Sequence, residues 1–408
     1  MNWHTFRWAS VATALCALAT MSGCGPSRQA AVPDNLADKA MVLNDPSART
    51  WSDVIEPVFA AELQRAALLE LEERKKAGLT GPLPPANYLA ISGGGQNGAY
   101  GAGLLCAWTA MGTRPEFKAV TGISTGALTA PFAFLGPRYD SVLKEVYTTV
   151  CTSDICTSNG FLGALFGESL LNNSPLRKLL DKYVTDQVIK DIATEYARGR
   201  LLLIGTTNLD EGRGVIWNIG NIATKGTPEA YELIRRILVA SAAIPAAFPP
   251  MMIDVTADGK PYQEMHVDGG ACAQVFLYPP SMDLKKDAAA MGITRDRVAW
   301  VIRNSRLDPH WQEVERRTLS IAARAVDCLI QTQGVGDLYQ IFLITRRDGV
   351  KFNLAFIPET FKEQPNQDFD PPYMTKLFNT GERDLKENKA WHNLPPSFTL
   401  DPSWKPGS

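Results

Sequence analysis

The chain has 408 residues, 45% of them hydrophobic and 21% charged, with a formal net charge of −2. That balance belongs to a folded globular chain and excludes the disordered class. Basic and acidic residues are interspersed, so there is no electrostatic footprint for nucleic acid.

Taken in chain order, the first segment reads as an export signal. Arg7 and the amino terminus form a short positive end, and Ala9 to Met21 is an apolar stretch too short to span a bilayer. Ser22-Gly23-Cys24 comes next. Residues 25–50 are polar, small and Pro-containing, and read as a flexible tether. Asp53 to Gly78 has helical periodicity, and Gly81-Pro-Leu-Pro-Pro85 separates it from the catalytic sheet. Tyr88–Ser92 and Phe117–Thr121 read as strands, each running through a glycine turn into a helix. Further strands are expected at Arg200–Gly205, Gly214–Asn218, Val298–Arg303 and from Lys351 to Pro358. Helices are expected over Pro228–Ala243 and within Trp311–Gly334. This alternation predicts an α/β fold, a parallel-rich sheet with helices on both faces. No later segment is apolar for long enough to cross a membrane.

Three short segments carry the chemistry. Ser92-Gly93-Gly94-Gly95-Gln96-Asn97-Gly98 places free backbone N–H groups at one strand end. Gly122-Ile123-Ser124-Thr125-Gly126 turns the next strand sharply at a serine, 29 residues after Gly95. Val267-Asp268-Gly269-Gly270 lies downstream. Ligands of such sheets sit at the carboxyl ends of the strands, so the glycines and Ser124 face one crevice. Gly93-x-Gly95-x-x-Gly98 also matches a dinucleotide fingerprint, but no carboxylate ends the second strand to hold a ribose. An ordinary α/β-hydrolase triad fits poorly, because 29 residues hold only a single crossover. Of the four histidines, His4 lies in the export signal, and His310 and His392 have no catalytic context. His266 shares a strand face with Asp268; a plain strand role and a proton-transfer role both stay open for it.

Together these segments resemble the patatin-like phospholipases, which carry a glycine-rich oxyanion loop, a Gly-x-Ser-x-Gly elbow one crossover later and a distant Asp-Gly-Gly or Asp-Gly-Ala. A fourth block agrees, Val239–Pro250, similar to the helix end and Pro-rich turn before the strand that bears the family aspartate. The resemblance covers roughly Tyr88 to Asn304. It implies a three-layer α/β/α fold with a mostly parallel central sheet. It also implies a Ser–Asp dyad, Ser124 as nucleophile and Asp268 as base, with the Gly93, Gly94 and Gly95 amides binding the oxyanion and no cofactor or metal. The expected activity is hydrolysis of lipid acyl esters, phospholipid or lysophospholipid. A catalytically silent lipid-binding protein and a transacylase or peptidase on the same site are the alternatives. Many members carry an arginine soon after the glycines; here Gln96-Asn97 stand there instead.

Small residues before Cys24 resemble the bacterial lipobox, with Met21 in place of the commoner Leu. That implies cleavage before Cys24, a lipid on its thiol, and anchoring in the cell envelope, with Gly25 favouring the outer membrane; a periplasmic or secreted protein is the alternative. The expected organisation is a signal peptide at 1–23, lipidated Cys24 and tether over 24–50, a helix and linker over 51–85, a catalytic domain over 86–390 and a Pro-rich tail over 391–408. Five cysteines then remain, an odd number, and Cys151 and Cys156 are spaced to close a small loop. Asn159–Glu168 places Phe161 and Phe166 among glycines without charge, and reads either as a core helix or as an apolar substrate mouth.

Overall fold

Runs of branched apolar residues without polar alternation build the centre of the sheet, as strands covered on both faces require. The computed structural model describes residues 28–79, 81, 83–160, 168–309 and 311–399. Cys24, Phe161, Phe166 and His310 lie outside them. The strands of the main sheet are β1 (Arg49–Trp51), β2 (Ala86–Ile91), β3 (Phe117–Ile123), β4 (Leu201–Asn208), β5 (Arg213–Asn218), β6 (Met251–Ala257), β7 (Lys260–Asp268), β8 (Arg297–Arg303) and β9 (Lys351–Phe356). The principal helices are α1 (Pro57–Lys76), α2 (Gly98–Ala110), α3 (Thr125–Leu135), α4 (Asp140–Thr149), α5 (Ser174–Tyr183), α6 (Asp186–Ala197), α7 (Pro228–Ser241), α8 (Leu284–Ala290), α9 (Thr318–Asp348) and α10 (Pro371–Lys386).

The sheet runs β1-β5-β4-β3-β2-β8-β9. From β4 to β9 every neighbour is parallel; β5 and β1 complete the other edge antiparallel. Successive side chains alternate between two cores. Leu89, Ile91, Leu202 and Ile204 point toward α2, α3, α6, α7 and α10. Ala90, Val301 and Ala299 meet Leu338 and Phe342 of α9, while Leu201 and Leu203 meet Phe59 and Ala66 of α1. The result is the three-layer α/β/α arrangement with a mostly parallel sheet that the sequence predicts.

Three features depart from the sequence reading or go beyond it. The segment read as a tether is packed from Arg28 onward. Val32, Ala37 and Val42 are buried in the main core, Met41 bridges Thr256, and β1 pairs with β5 and so covers its edge. Its small apolar residues fit between the strands they cross, which composition alone does not reveal. The second is the β6–β7 hairpin, in which Asp258 and Gly259 both take positive φ (48° and 74°). This Asp-Gly pair is a strong hairpin signal. Cys151 and Cys156 are free thiols; Cys151 Sγ instead lies 3.2 Å from an Asp154 carboxylate oxygen.

The N-terminal strap is locked by one buried charge chain. Arg49 donates both guanidinium nitrogens to Glu264, one of them at 2.8 Å, and both side chains are nearly inaccessible. Burial alone would push the Glu264 carboxyl up, but the Arg49 charge and hydrogen bonds from His266 and Arg49 outweigh it and hold it at about 2. Removing one partner of such a pair leaves an uncompensated buried charge. Arg49→Met should therefore cost about 3–5 kcal/mol in urea unfolding at pH 7. Because the Glu264 value is depressed, its stabilisation is full above about pH 4.5 and lost as pH falls toward 2. The deficit of the variant should shrink over that window.

Candidate active site

Strand register brings the two candidate residues together. β3 runs beside β4 as far as the Ile123–Gly205 pair, then leaves the sheet at Ser124. The next positions on that edge of β4 are taken by β7, with Thr206 opposite Asp268. Asp268 therefore sits where the chain departs at Ser124, and the Ser124 hydroxyl acts on its carboxyl in favour of the ionised form.

Ser124 holds φ 55° and ψ −126°, a left-handed backbone that costs a non-glycine residue roughly 1–3 kcal/mol. The surroundings enforce it. The Ser124 N–H donates to Ser241 Oγ at 3.0 Å, and that hydroxyl donates to the Gly205 carbonyl at 2.6 Å. A Cβ at Gly126 would fall 2.2 Å from the Ile91 carbonyl oxygen, so only glycine lets α3 start this close to β2. The hydroxyl thus stands at the N-terminus of α3, where orphan N–H groups favour developing negative charge.

Asp268 is buried. Burial raises its carboxyl to about 6, against the opposing influence of the Ser124 hydroxyl and of a hydrogen bond from the Gly270 N–H, 2.7 Å from Oδ1. His266 is fully buried and committed elsewhere. Its Nε2 lies 3.0 Å from Glu264 and its Nδ1 2.9 Å from the Thr206 hydroxyl, which receives the Trp217 indole N–H at 2.7 Å. An ionised Glu264 only accepts, so Nε2 donates to it and Nδ1 accepts from Thr206. Burial lowers the imidazole value and keeps the ring neutral near pH 7. Both nitrogens are used, and neither faces Ser124.

The glycine loop is only partly as expected. Gly93 N–H donates to the Gln274 carbonyl at 3.0 Å and is not free. Its lack of a side chain still matters, since a Cβ there would lie 3.1 Å from Ser124 Cβ. Gly94 and Gly95 have φ of 150° and 55°, and among the described residues no acceptor takes their N–H groups. Gln96 and Asn97 turn away, their side-chain oxygens accepting from the Asp370 N–H and the Tyr373 hydroxyl.

Three bracing residues escaped the sequence reading. Asn304, just past β8, donates its backbone N–H to the Ser92 hydroxyl at 2.8 Å and its side-chain amide to the Ser92 carbonyl at 3.0 Å, and accepts from Gly101 N–H at 3.2 Å. Gln274 spans both catalytic loops, accepting from Gly93 and donating to the Gly270 carbonyl at 2.8 Å. Asp337 of α9 holds the Gln274 N–H at 2.6 Å. Only their position after a strand or beside a motif marks them in the sequence. Among the described residues no cluster of His, Cys, Asp and Glu is disposed to hold a metal ion.

With this geometry, residues 89–279 match the family model described as patatin-like phospholipase. That segment is a patatin-like phospholipase domain. No curated protein matches the chain. Among solved structures it is similar to VipD from Legionella pneumophila, with TM-score 0.40, 11% identity, and 76% of this chain against 68% of that one covered. It is also similar to the type III effector ExoU of Pseudomonas aeruginosa (TM-score 0.32, 12% identity, 77% and 56% covered). Human GIVD cytosolic phospholipase A2 is a further relative in shape (TM-score 0.29, 11% identity, 69% and 51% covered). All three likenesses are remote, and the chain spans little more than half the length of the last two.

The loop bracing has a direct test. A Cβ at Gly94 would fall 2.2 Å from the Asn304 carbonyl oxygen. Gly94→Ala should therefore displace the loop and lower turnover about 10²–10³-fold, with a much smaller change in KM. Steady-state kinetics, with circular dichroism to verify folding, measure both.

Proposed function

We propose that the protein is a serine hydrolase of phospholipid or lysophospholipid acyl esters, with Ser124 as nucleophile and Asp268 as its base. The observation that carries this reading is a strained elbow serine placed by strand register beside a buried carboxyl, next to the Gly94 and Gly95 amides that no acceptor among the described residues takes. Ser124 Oγ attacks the ester carbonyl carbon as its proton passes to Asp268. The carbonyl oxygen becomes an oxyanion, stabilised by the Gly94 and Gly95 N–H groups and the start of α3. Collapse expels the alcohol, which takes the proton from Asp268, and leaves an acyl-serine. Water then attacks that ester with Asp268 again accepting the proton, and collapse breaks the acyl–Oγ bond as Asp268 returns the proton to Ser124 Oγ and the freed acid leaves. A carboxylate is a weaker base than imidazole, but burial brings its proton affinity closer to the working pH.

The N-terminal sequence supports a second element of the proposal: Cys24 carries a lipid that tethers the domain to a bacterial envelope membrane, where such substrates reside. Mass analysis of the mature chain should show an acylated N-terminus at Cys24. A mature chain starting downstream of it without lipid would refute the anchor.

Ser124→Ala and Asp268→Asn should each abolish ester hydrolysis in purified protein, whereas His266→Gln should retain substantial turnover if it stays folded. Appreciable turnover by Ser124→Ala would overturn the nucleophile. Asp268 must be ionised to act, so kcat/KM should rise with pH through about 6 and level off above it. The stability sign is opposite. A raised carboxyl value favours the folded state most below the unfolded value of 3.8, and that contribution is lost as pH rises through about 6. Asp268→Asn should therefore lose no stability at pH 8. Asp337 is likewise raised by burial to about 6, so Asp337→Asn is the control. The acid limb must stay in place in that variant.

A further inference from the structure

The sheet carries a second concavity at the end opposite Ser124. A cavity of about 440 Å³ lies between α1, α8 and the sheet face they cover. Ala86 at the start of β2, Ala119 near the start of β3 and Leu201 at the start of β4 line it, whereas Ser124 follows the far end of β3. Five residues of strand, roughly 17 Å, separate Ala119 from Ser124. None of the residues of the candidate active site lines this cavity.

Most of its wall is apolar, with Phe59 and Leu63 of α1, Leu203 and Ile216 of the sheet, and Leu277 and Leu284 closing the other side. One corner is different. The Glu70 carboxylate is held by Lys118 Nζ at 2.9 Å and by Arg295 Nη1 at 2.6 Å. Arg297 and the Tyr88 phenol are both in the wall, and among the described residues Arg297 has no carboxylate within ion-pair distance. Three cations thus share one carboxylate at the mouth of an apolar chamber. The α8 wall adds Lys286 against Asp283 and Asp287, and Asp283 is engaged as the N-cap of that helix, accepting the Lys286 N–H at 2.9 Å.

We infer that this cavity is a non-catalytic lipid site that takes one acyl chain with an anionic head group. The carboxylate of a long-chain fatty acid and the phosphate of a lysophosphatidate share that chemistry. The volume is within the range of small-molecule sites, which are mostly apolar with a few placed polar groups. The chain lies along Phe59, Leu203 and Leu277, and the head meets Arg297 and Lys118, where charge is in excess. Arg297 offers a guanidinium with no carboxylate partner among the described residues, so an anion gains a charge-assisted bond there without displacing one.

Calorimetric titration of the full chain with laurate, myristate, palmitate and palmitoyl lysophosphatidate, each below its micelle concentration, tests this. One saturable site is expected, tightening about fourfold per methylene until the chamber is full. Arg297→Gln should weaken palmitate about tenfold or more, and Ala67→Trp, which fills the chamber from α1, should remove binding. Both variants should keep the wild-type rate on a short soluble ester and unfold thermally as one transition. The fatty acid and the lysophosphatidate arms separate the two sources of the head group. Palmitate binding left unchanged by both variants would put the ligand elsewhere and overturn the site. Equal binding of hexadecanol or palmitoyl lysophosphatidylcholine would overturn the anionic head.

Discussion

One handover along the edge of β4 organises this protein. A parallel neighbour, β3, occupies that edge up to Gly205, and an antiparallel neighbour, β7, occupies it from Thr206. A strand can change partners in this way only if the first neighbour leaves the sheet abruptly. The positive φ of Ser124 is that departure, and Gly122 and Gly126 permit it where α3 packs against β2. Strain at Ser124 and proximity of the Asp268 carboxyl are therefore a single structural event. The same event frees the start of α3 to face the site, so hydroxyl, carboxyl and local dipole share one origin.

Buried charge is handled differently in the two halves of the molecule. On the N-terminal side the chain Trp217, Thr206, His266, Glu264 and Arg49 is fully satisfied, each donor meeting an acceptor. It ties β7 to β4 and β1 and occupies both ring nitrogens of His266. On the α9 side satisfaction is incomplete. Arg303 is buried against Gly334, with no hydrogen-bond partner for Nε or Nη1 among the described residues, and burial lowers it to about 10 against the pull of Asp337. It is still charged at neutral pH. Asp337 in turn spends its carboxylate on the Gln274 and Val275 amides, which positions the segment between the Asp-Gly-Gly turn and the glycine loop. Partly compensated charge is concentrated where two loops must be held in register.

Elements with strong local signals are legible in the sequence. Strand runs at Tyr88, Phe117, Arg200 and Val298, and the helix reading at Pro228, agree with the observed elements to within a few residues. The strap over residues 28–51 is not legible, because small polar-rich sequence reads as tether unless the groove that receives it is known. Nor is the sparing of Gly93, whose amide is claimed by a carbonyl 181 positions away, Gln274. The Asp258-Gly259 turn carries a readable signal, since positive φ at two successive positions demands such a pair.

By itself the sequence determined the reactive vocabulary. A serine between glycines after a strand, a glycine bank one crossover earlier and an Asp-Gly-Gly at a strand end are local patterns, set by backbone sterics within a few residues. Tertiary structure alone decided which groups work together. Ser241, Gln274, Asn304 and Asp337 act on the site through contacts bridging up to 212 positions, such as Asn304 to Ser92. Those pairings depend on strand order and register, which no local pattern encodes. The same holds for His266, which shares a strand face with Asp268 in sequence terms. Only the buried Glu264 and Thr206 beside it, the latter brought there by the β4–β7 pairing, commit both ring nitrogens and leave Asp268 as the carboxyl beside Ser124.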